Sequence, residues 1–119
     1  MIRRARTGAV QIPSPAAGPP LCLVKDGACP RYRQNRVGFD AGDIMLMYTD
    51  GLIERRGEDL TQGIARVAGH LQDWRPGTPL GRLCEQLVDS VTIEPQLDDI
   101  SVLAVSRPHP SDDSTTAHR

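Results

Sequence analysis

The sequence predicts an α+β domain, because two short apolar segments with strand character flank two amphipathic helical segments. The apolar segments are residues 44–49 and 100–105, and turn-forming residues stand before or after each of them. Between them, residues 59–71 and 79–91 repeat apolar side chains at the i, i+3, i+4, i+7 spacing of a helix that buries one face. The chain has 119 residues, a length that suits a single domain.

The composition excludes several classes of partner. The chain carries 14 basic and 15 acidic residues, a formal net charge of −1. Such a balance lacks the excess of positive charge that nucleic acids and anionic lipid surfaces select, so we expect neither as a partner. The sequence also contains no apolar run long enough to span a membrane and no secretory leader, and we therefore predict a cytoplasmic protein.

The first third of the chain predicts little regular structure. Prolines and glycines are frequent in residues 1–20, where we expect an irregular segment with at most an edge strand at 9–12, because proline cannot donate to a central ladder. A short apolar run follows at 21–24, and residues 31–39 suggest an exposed strand. The cysteines at 22 and 29 have no partner pair at zinc-binding spacing, so we expect all three cysteines of the chain to be reduced.

The remaining elements have clearer signatures. Residues 44–49 are almost all apolar, which predicts a strand buried on both faces. The first helix is expected from about Asp59 to Leu71. The second is expected from Pro79 to about Val91, with Thr78 as its N-cap and Pro79 at its first position. Polar residues from 107 to 119 predict a disordered tail.

Acidic residues adjoin both core strands. Asp50 follows the first strand, and the pair Asp98-Asp99 precedes the second. If these strands are antiparallel neighbours, their carboxylates meet at one edge of the sheet, where Gly51 allows close approach and a hard cation such as Mg²⁺ or Mn²⁺ finds oxygen ligands. The alternative is that Asp50-Gly51 is an ordinary turn and that the acidic pair is an exposed loop.

A longer motif adds a family resemblance. The stretch from Gly42 to Gly57, with Tyr-Thr-Asp-Gly-Leu at 48–52, resembles the PPM-type serine/threonine phosphatases. The likeness is to their bacterial branch typified by sporulation stage II protein E and the sigma-factor-regulating phosphatases. The Asp pair that opens the last strand and the Gly-Pro-Pro-Leu segment at 18–21 match as well, although Cys22 stands where the family usually has glycine. The resemblance runs from about Gly8 to Val105.

The resemblance implies a fold and a chemistry. The fold is the C-terminal part of an α-β-β-α sandwich, with antiparallel strands and two helices between the last two core strands. In that family two Mn²⁺ or Mg²⁺ ions lie at one edge of the sandwich, and the corresponding ligands here are Asp50 and Asp98. Asp99 and Gly51 support the site or stand close to it. The implied reaction is hydrolysis of phosphoserine or phosphothreonine by a metal-activated water, without a side-chain nucleophile. The implied substrate is a phosphoprotein such as an anti-sigma-factor antagonist.

One departure from the family pattern qualifies these expectations. The family's N-terminal half carries an Asp and a Gly-His-Gly motif that complete the metal site, and no such motif occurs here, since Gly69-His70 lies in a predicted helix. We therefore expect residues 21–106 to form the C-terminal half of a phosphatase domain, which another chain could complete. The alternative is a catalytically inactive remnant that acts as a protein-binding module. A small unrelated α+β domain is the third interpretation.

Overall fold

The architecture is one antiparallel sheet with two helices on one of its faces. The computed structural model describes residues 1–13, 27, 31–91 and 99–110. Within them the sheet has four strands in the order β2-β1-β3-β4, and every neighbouring pair is antiparallel. The predicted α+β class, with both helices between the last two core strands, is confirmed. The elements are β1 (Ile2–Arg3), β2 (Val10–Gln11), β3 (Ile44–Tyr48), α1 (Leu60–Asp73), α2 (Leu80–Asp89) and β4 (Val102–Ser106).

The pairing of β3 with β4 forms the centre of the fold. Its register sets Met45 opposite Val105 and Met47 opposite Leu103. On the helix side Ile44 and Leu46 are almost completely buried, and they pack with apolar side chains of both helices. On the other side Met47 and Leu103 are 54% and 56% exposed. The expectation that this strand is buried on both faces is therefore wrong, because the helices cover only one side of the sheet.

Both helices bury most of the face that the sequence pattern predicts, although Leu60 at the start of α1 is exposed. The core side chains of α1 are Val67 and Leu71, and those of α2 are Leu83 and Leu87. Asp59 caps α1, since its carboxylate accepts from the Gln62 amide while the Gln62 side chain accepts from the Asp59 amide. The cap of α2 differs from the prediction. Pro79 itself, with an extended backbone, is the N-cap residue, and Thr78 makes no capping bond.

An N-terminal hairpin of β1 and β2 extends the sheet, and β1 is an interior strand. β1 lies between β2 and β3, although an irregular segment was expected here. The prolines do not prevent this strand, because the first of them, Pro13, comes after the hairpin. The edge strand expected at 9–12 is present as Val10–Gln11. Arg3 is buried, and its guanidinium lies 5.3 Å from the ring centre of Trp74, which joins the hairpin to the end of α1.

The segment before β3 has no regular structure. Residues 31–39 form no strand, and nearly all of them are exposed, so the expected exposed strand is wrong. Arg4 holds this segment through a bond of 2.6 Å from its Nη1 to the Gly38 carbonyl, in place of ladder pairing. The apolar run 21–24, the Gly-Pro-Pro-Leu segment and the cysteines at 22 and 29 lie outside the described residues, whereas Cys84 is a free thiol. The division of the chain at residues 20 and 106 stays a prediction.

The helices are too short or too polar for a bilayer. Within the ranges that the structure describes, no helix has the length and apolar character to cross a membrane.

One glycine in α1 allows a close contact with the segment that follows β3. A Cβ at Gly63 would fall on the carbonyl oxygen of Ile53, far inside van der Waals distance. The obstacle is backbone, which cannot rotate away as a side chain could. Gly63 therefore sets how closely α1 approaches residues 50–53.

We predict that Gly63→Ala lowers the free energy of unfolding by about 1–3 kcal/mol, because the new methyl group forces the helix away from Ile53. The matched control is Gly69→Ala in the same helix, where an added Cβ meets nothing within 4 Å. That change should stabilise the protein by up to about 1 kcal/mol through helix propensity. Urea unfolding followed by circular dichroism measures both. Equal effects of the two substitutions would contradict the proposed contact.

Candidate functional site

The candidate site lies where β3 ends. The strand stops at Tyr48, Thr49 remains extended, and Asp50 begins a short 3₁₀ turn that runs to Leu52. Gly51 and Leu52 are buried, whereas Asp50 is exposed. The turn thus anchors its apolar end in the core and leaves the carboxylate of Asp50 at the rim of the sheet.

Thr49 joins this turn to the segment that leads into β4. Its amide donates to the Ser101 carbonyl at 3.0 Å. Its hydroxyl accepts from the Ser101 amide at 2.8 Å and donates to the Asp99 carbonyl at 3.1 Å. The end of β3 and the start of β4 therefore lie at the same edge of the sheet, which brings Asp50 and the backbone of Asp99 to one rim. Asp98, the other expected metal ligand, lies outside the described residues.

Helix α1 holds the turn from behind. Arg66 donates from Nη2 to the Leu52 carbonyl and from Nη1 to the Ser90 hydroxyl, both at 3.1 Å. The Nε of Arg66 lies 3.5 Å from a carboxylate oxygen of Glu58, a distance at which the two charges attract. With Gly63 packed on Ile53, these contacts fix the backbone that carries Asp50. The sequence pattern gave no indication of this role for Arg66.

The rim carries negative charge next to a partly buried phenol. Burial raises the pKa of the Tyr48 hydroxyl, and the nearby charge of Asp50 raises the same pKa further. The Asp50 side chain is exposed at this rim.

The donor set of this rim suits a hard cation only in part. An exposed carboxylate is the oxygen ligand that Mg²⁺ and Mn²⁺ prefer, and Mg²⁺ is commonly held by one or two carboxylates together with waters. Among the described residues, however, no group of three or more His, Cys, Asp or Glu side chains is close enough to hold an ion. His70 lies in the last turn of α1. The described part of the rim can contribute to a metal site but does not assemble one alone.

Comparison with known protein families shows which family the chain belongs to. A family description named stage II sporulation protein E (SpoIIE) matches residues 1–108. The chain belongs to the SpoIIE family. The predicted resemblance is thereby confirmed, and with it membership of the PPM-type phosphatase branch. No solved structure matches the chain.

A second aspartate of the SpoIIE-like motif has a structural role that the sequence analysis did not recognise. Asp43, in the Gly-Asp step before β3, is 2% exposed. Its carboxylate accepts from the amides of Ala5 and Asp40 at 2.8 and 3.0 Å and from the Arg4 guanidinium at 2.7 Å. Burial opposes the charged form, yet these hydrogen bonds and the charge of Arg4 outweigh it and lower the pKa of Asp43. Asp43 therefore fastens the N-terminal hairpin to the start of β3.

We predict that Asp43→Asn destabilises this SpoIIE-family chain by about 1.5–3 kcal/mol near neutral pH, since bonds to a charged acceptor are lost. The pKa of Asp43 is lower in the folded than in the unfolded chain. Its contribution is therefore complete above the unfolded pKa of about 4, and it is lost as the pH falls through the folded value. Urea unfolding between about pH 7 and pH 3 measures the free energy of unfolding of wild type and variant. The difference between these two free energies should become smaller in acid. Asp89→Asn is the control for the loss of one negative charge. A difference in unfolding free energy between wild type and Asp43→Asn that stays constant over this pH range would contradict the role of Asp43.

For the rim we predict that Thr49→Val weakens the junction between the two strands, because valine keeps the shape but removes the hydroxyl. Amide hydrogen exchange of Ser101 should accelerate by about two- to tenfold, which corresponds to one lost bond of about 0.5–1.5 kcal/mol. The Leu46 amide, which bonds to the Met1 carbonyl, is the internal reference. Thr49→Ser keeps the hydroxyl and should leave Ser101 protected. Unchanged exchange at Ser101 in the valine variant would contradict the bridging role.

Proposed function

We propose that this chain contributes the C-terminal part of a metal-dependent protein phosphatase that hydrolyses phosphoserine or phosphothreonine. Membership of the SpoIIE family supports the phosphatase class. The observation that carries the proposal within the structure is the set of bonds from Thr49 to Asp99 and Ser101, because it brings the exposed Asp50 and the segment that follows Asp98 to one edge. In this proposal Asp50 and Asp98 are the metal ligands, and Asp99 supports them.

Each residue at the rim has a defined task. Asp50 and Asp98 supply carboxylate oxygens to Mn²⁺ or Mg²⁺, and the buried Gly51 belongs to the turn that carries Asp50. When bound, the metal polarises the phosphoryl group and lowers the pKa of a coordinated water. Thr49 fixes the spacing of the two strands, and Arg66 holds the Leu52 carbonyl so that Asp50 is presented in one orientation. This division of tasks needs no side-chain nucleophile.

The proposed substrate is a phosphoprotein, and an anti-sigma-factor antagonist is the specific candidate that the family resemblance suggests. The complete domain is expected to use two ions. Ligands in addition to Asp50 and Asp98 are then needed, and in this proposal a second chain supplies them.

A second function has its own supporting observation. The described residues gather no three-ligand group, and a single aspartate holds a cation weakly. A catalytically inactive remnant that binds a protein partner would need no such group. In that case Asp50 would be an exposed turn residue, and its replacement would not affect binding.

The test measures Mn²⁺-dependent hydrolysis of p-nitrophenyl phosphate by the full chain. We expect Mn²⁺ to raise hydrolysis above the blank and Asp50→Asn to return it to the blank, because the variant loses the anionic ligand. Asp89→Asn, which removes an exposed carboxylate from the end of α2, should leave the rate unchanged.

The same samples separate the two functions. Circular dichroism must show that wild type and variants are equally folded. A folded wild-type chain without metal-dependent hydrolysis would rule out phosphatase activity of this chain on its own. Recovery of the same protein partner by wild type and Asp50→Asn in a pulldown would then favour the binding module.

A further inference from the structure

The outer edge of β4 carries backbone groups that no other described residue pairs with. Within the described residues only β3 lies beside this strand. The Thr49 amide bonds to the Ser101 carbonyl, and at the other end of the ladder the Gly42 amide bonds to the Arg107 carbonyl. The odd-numbered residues of β4 therefore face β3, and the even-numbered ones face outward, because successive residues of a strand alternate in this respect. The outward-facing N–H and C=O groups are those of Val102, Ala104 and Ser106.

This edge lacks the features by which sheet edges usually avoid pairing. Natural edge strands carry lysines or prolines, contain bulges, or are very short. β4 runs for 5 residues, Val-Leu-Ala-Val-Ser, without a charge or a proline. It pairs with β3 residue by residue, without a bulge. The opposite edge strand, β2, is only 2 residues long. β4 is therefore the edge at which a further strand can add to the sheet.

We infer that the outer edge of β4 pairs with the same edge of a second copy of this chain, in antiparallel orientation. The pairing is symmetric about Ala104, which faces its own counterpart, and Val102 faces Ser106 of the second copy. Facing residues of this kind exchange both of their hydrogen bonds. This register satisfies every outward-facing group of β4, whereas a shift of the register would leave some of them unpaired. The pairing is independent of the proposed phosphatase chemistry.

Side chains and charges favour a second copy over an unrelated strand. In this register Leu103, which is 56% exposed, comes beside Val105 of the second copy on the face that the helices do not cover. The two form an apolar cross-strand pair. Asp99 precedes the strand and Arg107 follows it. Antiparallel pairing sets the acidic end of one copy beside the basic end of the other, where opposite charges attract. Both matches are properties of two identical strands.

The interface is small, so we expect a weak dimer. Stable complexes bury about 1,200–2,000 Å² of surface in total, which is more than two short strand edges provide. The chain should therefore be a monomer at about 5 µM and mostly a dimer at about 1 mM, which corresponds to a Kd of about 0.1 mM.

The test follows both the mass of the full chain and its outward-facing amides. Sedimentation velocity from about 5 µM to about 1 mM should show a monomer that becomes a dimer. Over the same range, hydrogen exchange of the Val102, Ala104 and Ser106 amides should slow by about three- to tenfold, because only the dimer pairs them. The Leu103 and Val105 amides already face β3 and should not change.

Two variants test the edge itself. Ala104→Pro removes the N–H at the symmetry axis, and an edge strand tolerates proline where that group faces away from the sheet. It should weaken dimerisation by about tenfold or more. Leu103→Lys brings two like charges close together across the axis and should weaken dimerisation by about three- to tenfold. Met47→Lys is the matched control, since Met47 is 54% exposed on the same face but belongs to β3, and it should leave dimerisation unchanged.

Several outcomes would overturn the inference. A monomer at every concentration would do so and would leave the edge to a strand of a different protein. A dimer that persists in Leu103→Lys, or one in which the outward-facing amides stay unprotected, would place the contact elsewhere. Equal weakening by Leu103→Lys and Met47→Lys would favour packing of the two sheets face to face. Circular dichroism confirms that each variant is folded, and the two lysine variants decide the matter if Ala104→Pro is not.

Discussion

The fold depends on the antiparallel pairing of β3 with β4. These strands are far apart in the chain, and both helices lie between them. β4 can therefore pair with β3 only when the two helices pack on the sheet. Ile44 and Leu46 provide the apolar surface for that packing, and the helix side chains that cover them are completely buried or nearly so. Burial of a single side chain of this kind stabilises a fold by about 1.5–3 kcal/mol, which is large compared with any one exposed contact at the rim.

The same pairing determines the geometry of the candidate site. An antiparallel register sets the last residue of one strand beside the first residue of its neighbour, and Thr49 continues that register beyond the strand ends. The position of Asp50 relative to Asp99 is therefore a consequence of core packing rather than of contacts between the acids themselves.

The parts of the fold that were predictable from the sequence are those with a periodic apolar pattern. The helix faces at Val67, Leu71, Leu83 and Leu87 follow directly from a repeat of 3.6 residues, and the two core strands follow from their apolar runs. The failures have different causes. A two-residue interior strand such as β1 is too short to show any period, and the exposure of Met47 depends on which side of the sheet the helices occupy. Neither is a local property of the sequence.

The net charge of the chain is likewise a poor guide to the charges on its surface. A net charge of −1 describes the whole chain, but it does not describe any surface. Arg4 pairs with Asp43 at one end of β3, whereas Asp50 and the backbone of Asp99 lie at the other end. Attraction of a partner depends on the field within about 10 Å, roughly a Debye length, and not on the total. The expectation that neither nucleic acids nor anionic lipids are partners rests on the total alone and stays a prediction.

Two aspartates flank β3, and their surroundings explain why their roles differ. Asp43 is enclosed, and three donors satisfy its carboxylate, so any additional ligand would have to displace bonds that hold the hairpin. Asp50 is exposed, and the turn behind it is held through backbone carbonyls and Gly63, not through its carboxylate. A side chain that the fold does not use is the one that can bind a ligand without loss of stability. By this criterion the proposal of a metal ligand in the motif falls on Asp50 and not on Asp43.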